Sequence, residues 1–259
     1  MTNSFYKYQG TGNDFVIIDN RTNSFGKNNT KLIKSLCDRR FGIGADGLIL
    51  LENHPEYDFN MVYYNANGYE STMCGNGGRC AVAFANFLGV IKNKATFLAV
   101  DGVHKAHIEG THVKLQMQDV TAVTIQDNFV FLDTGSPHHV QMVSNLEDLD
   151  VVSKGAAIRY GAPYNETGTN VNFVKKITDT RFAVRTYERG VENETLSCGT
   201  GVTAVALAMH AIKETNNTII TLETQGGRLE VSFTKTALGY QNIWLTGPAT
   251  QVFKGNITW

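Results

Sequence analysis

The hydrophobic pattern of this chain consists of short apolar or alternating runs, and turn residues separate them. Such runs predict a strand-rich protein. In the first half the predicted strands are Asp14–Asp19, Leu48–Leu51, Asp58–Tyr64 and Thr96–Val100, followed by a hairpin of Lys105–Glu109 and His112–Met117 around Gly110-Thr111. In the second half they are Phe129–Asp133, Asn170–Lys175 and Arg181–Tyr187, with hairpin turns at Gln225-Gly226-Gly227 and Gly247-Pro248.

The pattern predicts few helices. One is expected at Thr30–Arg40, where Asn29 or Thr30 supplies the N-cap. Two runs of small apolar residues predict further helices at Gly78–Leu88 and Val202–Lys213. Each half is therefore expected to be a strand-rich layer around one small-residue helix.

The phrases before those two helices are alike. Cys74-Gly75-Asn76-Gly77 and Cys198-Gly199-Thr200-Gly201 both precede a small-residue run. The pairs Thr11-Gly12 and Thr134-Gly135, and Glu70 and Glu194, recur at almost the same spacing. These echoes indicate an internal duplication. We therefore predict an α/β (mixed α+β) fold with two pseudo-symmetric domains, residues 1–117 and 118–249, and an active site in the cleft between them.

Composition narrows the class of protein. The chain has 259 residues, 42% of them hydrophobic and 18% charged, and a net charge of −1, which is typical of soluble globular proteins. Because there is no basic surplus, we expect no nucleic-acid or membrane-surface partner. The first residues lack the features of a secretory signal, and the apolar stretch Ala81–Ile91 is too short to span a bilayer. A cytoplasmic location is expected.

The chain has four cysteines, too few for a disulfide scaffold and without the spacing of a zinc site. Reduced thiols and no metal are expected. Cys37 and Cys80 are interpreted as small core residues. The duplicated glycine context separates Cys74 and Cys198 from them.

The position of these two thiols suggests their chemistry. A cysteine at a helix start lies near unpaired N–H groups and the positive end of the helix dipole, which favour the thiolate. The same N–H groups can bind a carboxylate. Two such thiols on opposite sides of one carbon could act as base and acid and invert an α-amino acid, with no cofactor required. A redox pair or a non-catalytic thiol switch is the alternative interpretation.

A series of phrases also resembles the diaminopimelate epimerase family over essentially the whole chain. In order they are Gly10-Thr11-Gly12-Asn13-Asp14-Phe15, Phe41-Gly42-Ile43-Gly44-Ala45-Asp46-Gly47, Tyr64-Asn65-Ala66-Asn67-Gly68, Cys74-Gly75-Asn76-Gly77-Gly78-Arg79-Cys80, Gly135-Ser136-Pro137-His138, Asn170-Val171-Asn172-Phe173, Tyr187-Glu188-Arg189-Gly190 and Cys198-Gly199-Thr200-Gly201. Any one of them is a weak signal, whereas the ordered series is specific.

The resemblance implies interconversion of LL- and meso-2,6-diaminopimelate in lysine and peptidoglycan-precursor synthesis, with Cys74 and Cys198 as the acid/base pair. The resemblance also implies that residues 250–259 complete the first domain. It is compatible with a homodimer. By the same resemblance, the backbone of Gly75, Asn76, Gly199 and Thr200 holds the reacting end, Asn13, Asn65, Asn170, Glu188 and Arg189 hold the substrate, and His138 and Glu188 tune the thiols.

Each of these residues also has an ordinary structural interpretation. Asn13 and Asn65 are common turn residues, Asn170 can cap a hairpin, Glu188-Arg189 can form a surface ion pair, and His138 after Pro137 reads as a loop histidine in a turn. Ser136 and Gly47 replace the asparagine and glutamine of many members, and the loop before Cys198 is one residue longer. A racemase of another amino acid on the same fold therefore remains the alternative function.

Overall fold

The computed structural model describes residues 2–27 and 29–258, and in them the chain has the strand-rich mixed α/β architecture that the sequence predicts. The helices are α1 Thr30–Cys37, α2 Gly75–Phe87, α3 Val151–Tyr160 and α4 Gly199–Ala211. The strands are β1 Thr2–Gly10, β2 Asn13–Asp19, β3 Gly47–Glu52, β4 Phe59–Asn65, β5 Lys94–Ala99, β6 Gly102–Glu109, β7 His112–Gln116, β8 Val123–Ile125, β9 Val130–Asp133, β10 Pro137–Met142, β11 Asn170–Thr178, β12 Arg181–Glu188, β13 Asn193–Thr195, β14 Ile219–Thr224, β15 Gly227–Thr236, β16 Gly239–Pro248 and β17 Thr250–Thr258. Within this described part, no helix is long and apolar enough to cross a membrane.

The chain forms two compact units. The first consists of Met1–Leu115 and Gly247–Trp259, and the second of Gln116–Thr246. The domain boundaries predicted from the sequence, 1–117 with 250–259 and 118–249, stay a prediction.

In the first unit, antiparallel and parallel pairings alternate along the sheet. Strands β1 and β2 form an antiparallel hairpin, β2 and β3 are parallel, β3 and β4 antiparallel, and β4 and β5 parallel. Strands β5, β6 and β7 follow as an antiparallel series. Strand β17 pairs with β1, so the end of the chain completes this sheet. Helix α1 packs its buried Ile33 and Leu36 into an apolar cluster with β2, β3 and β4.

The second unit repeats this order. Strands β9 and β10 are antiparallel, β10 and β11 parallel, β11 and β12 antiparallel, and β12 and β14 parallel, before the antiparallel series β14, β15 and β16. Helix α3 follows β10 as α1 follows β2. Helix α4 follows β12 and the short strand β13, whereas α2 follows β4 directly. Strand β8 pairs with β9 as β17 pairs with β1. The predicted duplication is confirmed by this matching set of pairings.

Small side chains allow the two cysteine-bearing helices to be buried on nearly every face. Residues Gly75–Val82 of α2 and Gly201–Met209 of α4 are buried. A Cβ built on Gly77 would lie 3.4 Å from Ile49 and 3.5 Å from Met61, on neighbouring strands. A helix that is enclosed in this way cannot show the one-sided polarity of a surface helix.

The helix boundaries differ from the predicted ones. Helices α2 and α4 begin at Gly75 and Gly199 rather than Gly78 and Val202, because the glycines already belong to the first turn. Helix α1 ends at Cys37 rather than Arg40, because Asp38 is extended and its carboxylate accepts from the N–H groups of Arg40 and Phe41. Asn29 is the N-cap of α1, as one of the two predicted alternatives.

Most predicted strands are present with shifted ends, and the turn at Gln225-Gly226 joins β14 to β15. The turn predicted at Gly247-Pro248 is wrong, because both residues lie in β16 and the break falls at Ala249. The turn assigned to Pro137-His138 is also wrong, since both residues lie in β10. Proline is tolerated as the first residue of a strand, where it still resembles a turn signal in the sequence.

Candidate active site

In the first unit, Cys74 is the N-cap of α2. Its backbone is extended, with φ −93° and ψ 144°, and its Sγ accepts a hydrogen bond from the Gly77 N–H at 3.1 Å. The sulfur therefore takes the place that a serine or aspartate oxygen occupies in an ordinary helix cap. The N–H groups of Gly75 and Asn76 belong to the same first turn and have no acceptor within the helix.

Asn13 and Asn76 connect this thiol to the sheet. The Cys74 Sγ lies 3.7 Å from Asn13 Oδ1, and Asn76 Nδ2 donates to the same oxygen at 3.3 Å. Asn13 Nδ2 donates to Asp46 Oδ2 at 2.6 Å, which fixes the orientation of the Asn13 amide. The predicted residues Asn13, Cys74 and Asn76 are therefore brought together, and Asp46 is a partner that the sequence reasoning missed.

A cluster of ion pairs next to Asn13 stabilises the N-terminal end of β2. Asp14 pairs with Lys7 at 2.7 Å and with Arg39 at 2.6 Å, and Arg39 also pairs with Asp46 at 2.7 Å. Burial opposes the charged carboxylate, but the hydrogen bonds from Arg39 and Lys7 outweigh it and lower the pKa of Asp14 to about 2. Asp14 is therefore ionised at neutral pH and holds β2 to the loop before β3.

Asn65 closes β4 at the edge where Gly47 opens β3, and the two residues are paired. No hydrogen bond joins the Asn65 side chain to another of the described residues, so its amide is available to a ligand. A Cβ on Gly47 would lie 2.5 Å from the Tyr63 ring and from the Tyr64 carbonyl oxygen. This edge therefore has no room for a side chain at Gly47, and Asn65 is the polar group it presents.

In the second unit, Cys198 is the N-cap of α4 and is also extended, with φ −117° and ψ 114°. Its sulfur lies 3.4 Å from Thr200 Oγ1 and does not cap a first-turn N–H. Thr134 Oγ1 donates to the Thr200 carbonyl oxygen at 2.9 Å. In the first unit Thr11 likewise bonds to the cysteine helix, through Arg79 Nη2 at 3.2 Å. The Thr-Gly echo in the sequence thus corresponds to turns that anchor both helices.

His138 lies on β10 and is fully buried, not in a surface turn. Asn172 Nδ2 lies 3.1 Å from His138 Nδ1 and also donates to the His139 carbonyl oxygen at 3.1 Å. Because a carbonyl can only accept, the amide nitrogen must face it, and Nδ1 of His138 must accept from that nitrogen. The imidazole therefore carries its proton on Nε2.

That Nε2–H group has no hydrogen-bond partner among the described residues, although it is buried. Burial, and the nearby positive charge of Arg189, lower the pKa of His138 to about 3. The ring is therefore neutral at physiological pH. A buried donor without a partner is costly, by about 1–3 kcal/mol, and this one can donate to a bound ligand or to a thiolate.

Asn170 ties together three parts of the second unit. Its Nδ2 donates to Ser136 Oγ at 2.8 Å and to the Pro137 carbonyl oxygen at 3.0 Å, while its Oδ1 accepts from the Arg189 N–H at 2.9 Å. The side chain is thus engaged within the protein and is more than a hairpin cap. Ser136, which we did not predict as a site residue, is one of its partners.

Glu188 closes β12, and Arg189 follows it. Glu188 Oε2 accepts from Thr195 Oγ1 at 2.9 Å, and Arg189 Nη1 donates to the Thr167 carbonyl oxygen at 3.0 Å. Neither contact is the surface ion pair considered from the sequence. Both residues are half-buried.

Several predicted residues occupy equivalent places in the two units. Asn65 and Glu188 close β4 and β12, and Cys74 and Cys198 cap the helices that follow; Asn170 opens β11, where the first unit has Gly47, which was not predicted as a site residue. In each unit they gather at one edge of the sheet, next to a helix N-terminus. Such an edge suits an anionic ligand that also carries groups for asparagine and glutamate to bind.

The other two thiols have a different environment. Cys37 and Cys80 are 3% and 0% exposed, and burial raises the pKa of both, to about 12 for Cys37. They remain thiols and act as core residues. Among the residues that the structure describes, no group of three His, Cys, Asp or Glu side chains is arranged to hold a metal ion.

A cavity of about 290 Å³ lies elsewhere in the second unit. It is lined by Gln118, Asp119, Val120, Thr121, Ala122, Thr124, Phe131, Leu132 and Asp133. None of the predicted site residues lines it, and no buried titratable group points to chemistry there. We assign the site by the geometry of the thiols.

Sequence reasoning also missed Asn172 and Arg79. Asn172 follows Asn170 by two residues on β11, so both lie on the same face of the strand, and this alternation was a signal in the sequence. Arg79 was part of the first cysteine phrase but had no assigned role. Its full burial depends on the fold.

Solved structures resemble the chain at low sequence identity. A phenazine biosynthesis protein of the PhzF family from Bacillus anthracis matches with a TM-score of 0.81 and 15% identity, over 100% of both chains. A hydroxyproline epimerase from Agrobacterium vitis matches with a TM-score of 0.69 and 14% identity, over 99% of this chain and 92% of that one. At such identities these likenesses establish the fold alone.

Sequence relatives are closer. The diaminopimelate epimerase of Flavobacterium psychrophilum is 60% identical over 253 residues, which cover 97% of this chain and 99% of that protein. The diaminopimelate epimerase of Aquifex aeolicus is 38% identical over 274 aligned positions, which cover 98% and 97% of the two chains. The profile of the family described as Diaminopimelate epimerase matches residues 5–123 and 130–252. The chain belongs to the diaminopimelate epimerase family.

Proposed function

We propose that this protein is an isomerase that interconverts LL- and meso-2,6-diaminopimelate, with Cys74 and Cys198 as the paired acid and base. The observation that carries the proposal is the repeated placement of a cysteine as N-cap of a small-residue helix, in a chain of this family. An acid and a base of one chemical type suit a reaction that runs in both directions at one carbon.

The reaction needs one proton removed and one delivered. One cysteine, as thiolate, takes the α-proton and becomes a thiol, and the electron pair left on carbon is delocalised into the adjacent carboxylate. The other cysteine, as thiol, then gives its proton to the opposite face of the carbon and becomes a thiolate. The return reaction exchanges the two roles, so protons balance without a cofactor.

First-turn N–H groups supply the main stabilisation of the intermediate. Those of Gly75 and Asn76 in α2, and of Gly199 and Thr200 in α4, bind the carboxylate at the reacting end. Their hydrogen bonds strengthen as negative charge accumulates on the carboxylate oxygens, which lowers the barrier more than it stabilises the substrate.

The remaining predicted residues hold the substrate. Arg189 can fork onto a carboxylate, and Glu188 and the oxygens of Asn13, Asn65 and Asn170 can accept from ammonium groups. A substrate with two carboxylates and two ammonium groups needs this mixture. His138 and Glu188 tune the thiols. An unchanged pH–rate profile in His138→Gln would count against that role of His138.

The same proposal places the reaction in the cytoplasm, in the synthesis of lysine and peptidoglycan precursors, and includes a homodimer. Analytical ultracentrifugation tests the dimer. A racemase of another amino acid would keep both cysteines without needing Asn170, Glu188 and Arg189 for a second amino-acid end. A thiol switch would exchange no substrate hydrogen.

Proton NMR in D2O under reducing conditions tests the function directly. With LL-diaminopimelate we expect solvent deuterium at one α-carbon and the appearance of the meso isomer. Cys74→Ala and Cys198→Ala should each abolish inversion, while each retains exchange only with the isomer whose α-proton faces the remaining thiol. Absence of exchange in wild-type protein with titratable thiols would overturn the substrate assignment and favour a screen of other amino acids.

A further inference from the structure

A chain of two amide side chains lies between an anion and a cation at the start of the helix that carries Cys74. Asn13 Nδ2 donates to the Asp46 carboxylate at 2.6 Å, and Asn76 Nδ2 donates to Asn13 Oδ1 at 3.3 Å. Arg79 Nη2 donates to Asn76 Oδ1 at 3.0 Å. All donors therefore point in one direction, from Arg79 towards Asp46.

The two ends of this chain determine the orientation of both amides. A carboxylate can only accept hydrogen bonds, and a guanidinium can only donate them. Reversing Asn13 would place its oxygen against the Asp46 carboxylate, and reversing Asn76 would place its NH2 group against the Arg79 guanidinium. Arg39 Nη2 donates to the other Asp46 oxygen at 2.7 Å and holds the carboxylate in place. Asn13 must therefore present its oxygen to the helix start.

The Cys74 sulfur lies 3.7 Å from this oxygen, Asn13 Oδ1. Because an amide oxygen can only accept, a hydrogen bond forms there only while the sulfur carries its proton. Asn13 therefore favours the thiol form of Cys74. The Gly77 N–H group donates to the same sulfur at 3.1 Å and favours the thiolate. The two contacts have opposite effects on the protonation of one sulfur.

This opposition suits a group that must act both as base and as acid. A helix N-terminus and its neighbours can lower the pKa of a cysteine to about 3.5. A thiolate with so low a pKa is a weak base, whereas proton exchange near neutral pH is most efficient when the pKa lies near 7. A fixed acceptor beside the sulfur counteracts the helix and brings thiol and thiolate closer in free energy.

Hydroxyl side chains replace the amide chain in the second unit. By position in the repeat, Asn13, Asp46, Asn76 and Arg79 correspond to Ser136, Thr169, Thr200 and Thr203. The Cys198 sulfur lies 3.4 Å from Thr200 Oγ1, and either atom can be the donor. A hydroxyl can rotate to accept from a thiol or to donate to a thiolate. Cys198 thus has a neighbour that follows its protonation, whereas the Asn13 oxygen beside Cys74 accepts only.

Charged groups on several elements also lie near the start of α2. They are Lys7 on β1, Asp14 on β2, Arg39 and Asp46 before β3, Arg79 on α2, and Asp101 and His104 at the start of β6. Asp101 also accepts from the N–H of Met73, the residue before Cys74. Each of these charges can act on the sulfur through space. A test of Asn13 must therefore leave them unchanged.

We propose that Asp46 is a positioning residue that fixes the Asn13 oxygen beside Cys74, and that Asn13 thereby stabilises the proton-bearing form of this cysteine. This role rests on the proposed function, because the proton concerned is the one that Cys74 delivers as acid. No further reactant is needed, since the hydrogen bond to Asn13 breaks as the proton passes to the α-carbon.

Alkylation by iodoacetamide as a function of pH, followed at each cysteine by peptide mass spectrometry, tests the role of Asn13 in reduced protein. The midpoint of the profile reports the thiolate fraction. Asn13→Leu, which removes the acceptor without changing charge, should lower the Cys74 midpoint by about 0.5–1 pH unit and leave that of Cys198 in place. Loosening of the helix start would instead weaken the Gly77 contact and raise the midpoint. A Cys74 midpoint that rises or does not move contradicts the proposal.

A double-mutant cycle tests whether Asp46 acts through Asn13 or by its charge. Asp46→Asn alone should lower the Cys74 midpoint, because its NH2 group opposes the Asn13 amide and releases the fixed orientation. In the Asn13→Leu background the same substitution should have no further effect. An equal shift in both backgrounds would mean that Asp46 acts by its charge, and would overturn its positioning role. Asn13→Ala and Asp46→Ala replace either variant that does not fold.

Alkylation does not depend on the reaction, so the two proposals fail separately. The expected shifts in a protein that exchanges no hydrogen on diaminopimelate would uphold the role of Asp46 and refute the substrate. Absence of the shifts in an active epimerase would refute the role of Asp46 alone.

Discussion

At the scale of single residues, Asn172 determines which nitrogen of His138 carries the proton. Its amide nitrogen faces both the His139 carbonyl and His138 Nδ1, and Thr186 Oγ1 donates to its amide oxygen at 3.0 Å. The three contacts fix the amide in one orientation. The neutral imidazole therefore offers Nε2–H as a donor and cannot act as a base through that nitrogen.

We expect Asn172→Asp to reverse this arrangement. An ionised carboxylate cannot donate, so Nδ1 of His138 must become protonated, either as the other neutral tautomer or as imidazolium. Nitrogen-15 NMR of labelled histidine reports the protonation of Nδ1 directly, and kcat should fall by about 100-fold if His138 serves as a positioned donor.

His139 provides the internal control in the same spectrum. Its ring contacts Tyr164 Oη at 2.9 Å and Gln141 Oε1 at 3.4 Å, and the substitution touches neither contact. Its signals should therefore stay in place. An Nδ1 of His138 that remains unprotonated in Asn172→Asp would show that Asn172 does not control the tautomer.

At the scale of elements, the two cysteine helices offer a matched pair of glycines. A Cβ on Gly201 in α4 would lie 2.5 Å from Asn172 Oδ1 and 3.3 Å from the Cys198 sulfur. The equivalent Cβ on Gly77 in α2 would lie 3.3 Å from the Cys74 sulfur and no closer to Ile49 or Met61. A Cβ at Gly201 would therefore overlap with the Asn172 side chain, whereas a Cβ at Gly77 would only make close contacts.

Gly201→Ala should accordingly lower the free energy of unfolding by about 1–3 kcal/mol and displace the Asn172 amide. Gly77→Ala should change the free energy of unfolding by less than about 1 kcal/mol, because the helix propensity of alanine offsets the tight contacts. Urea denaturation of both variants measures the difference. Equal losses would mean that the two helix starts are packed alike.

Much of this element-level picture could be predicted from the sequence. Both helices could be located because a cysteine-glycine phrase followed by a run of small apolar residues is rare, and here it occurs twice. The predicted helices began three residues late, because the glycines at Gly75 and Gly199 give no hydrophobic periodicity. Strand β10 was missed because Ser136-Pro137 resembles a turn although Pro137 opens a strand.

At the scale of the whole molecule, duplication made the architecture predictable, since most strand pairings in one unit have a counterpart in the other. The candidate residues at the sheet edges were found through the resemblance of their phrases to the diaminopimelate epimerase family. The buried positions and partners of Asn172 and Arg79 could not be found, because they depend on contacts with residues far away in sequence. A motif names such residues without indicating their charge state or partners.

The buried histidines also make the stability of the whole molecule depend on pH. Burial lowers the pKa of His138 to about 3 and of His139 to about 4, from 6.5. As pH falls below about 6.5, the unfolded chain takes up protons that the folded chain does not, so stability decreases until the folded pKa values are reached. Below 3.8, Asp14 adds a further loss, because its folded pKa is about 2.

We therefore expect the free energy of unfolding to fall steadily between pH 6 and pH 4.5, with about 1.4 kcal/mol per pH unit from each fully buried neutral histidine. His138→Gln should remove one such contribution from the slope, as measured by urea denaturation across this range. His112→Gln is the matched control, because that side chain is exposed on β7. A slope that His138→Gln leaves unchanged would mean that His138 is protonated in the folded protein, and its Nδ1 could then not accept the hydrogen bond from Asn172.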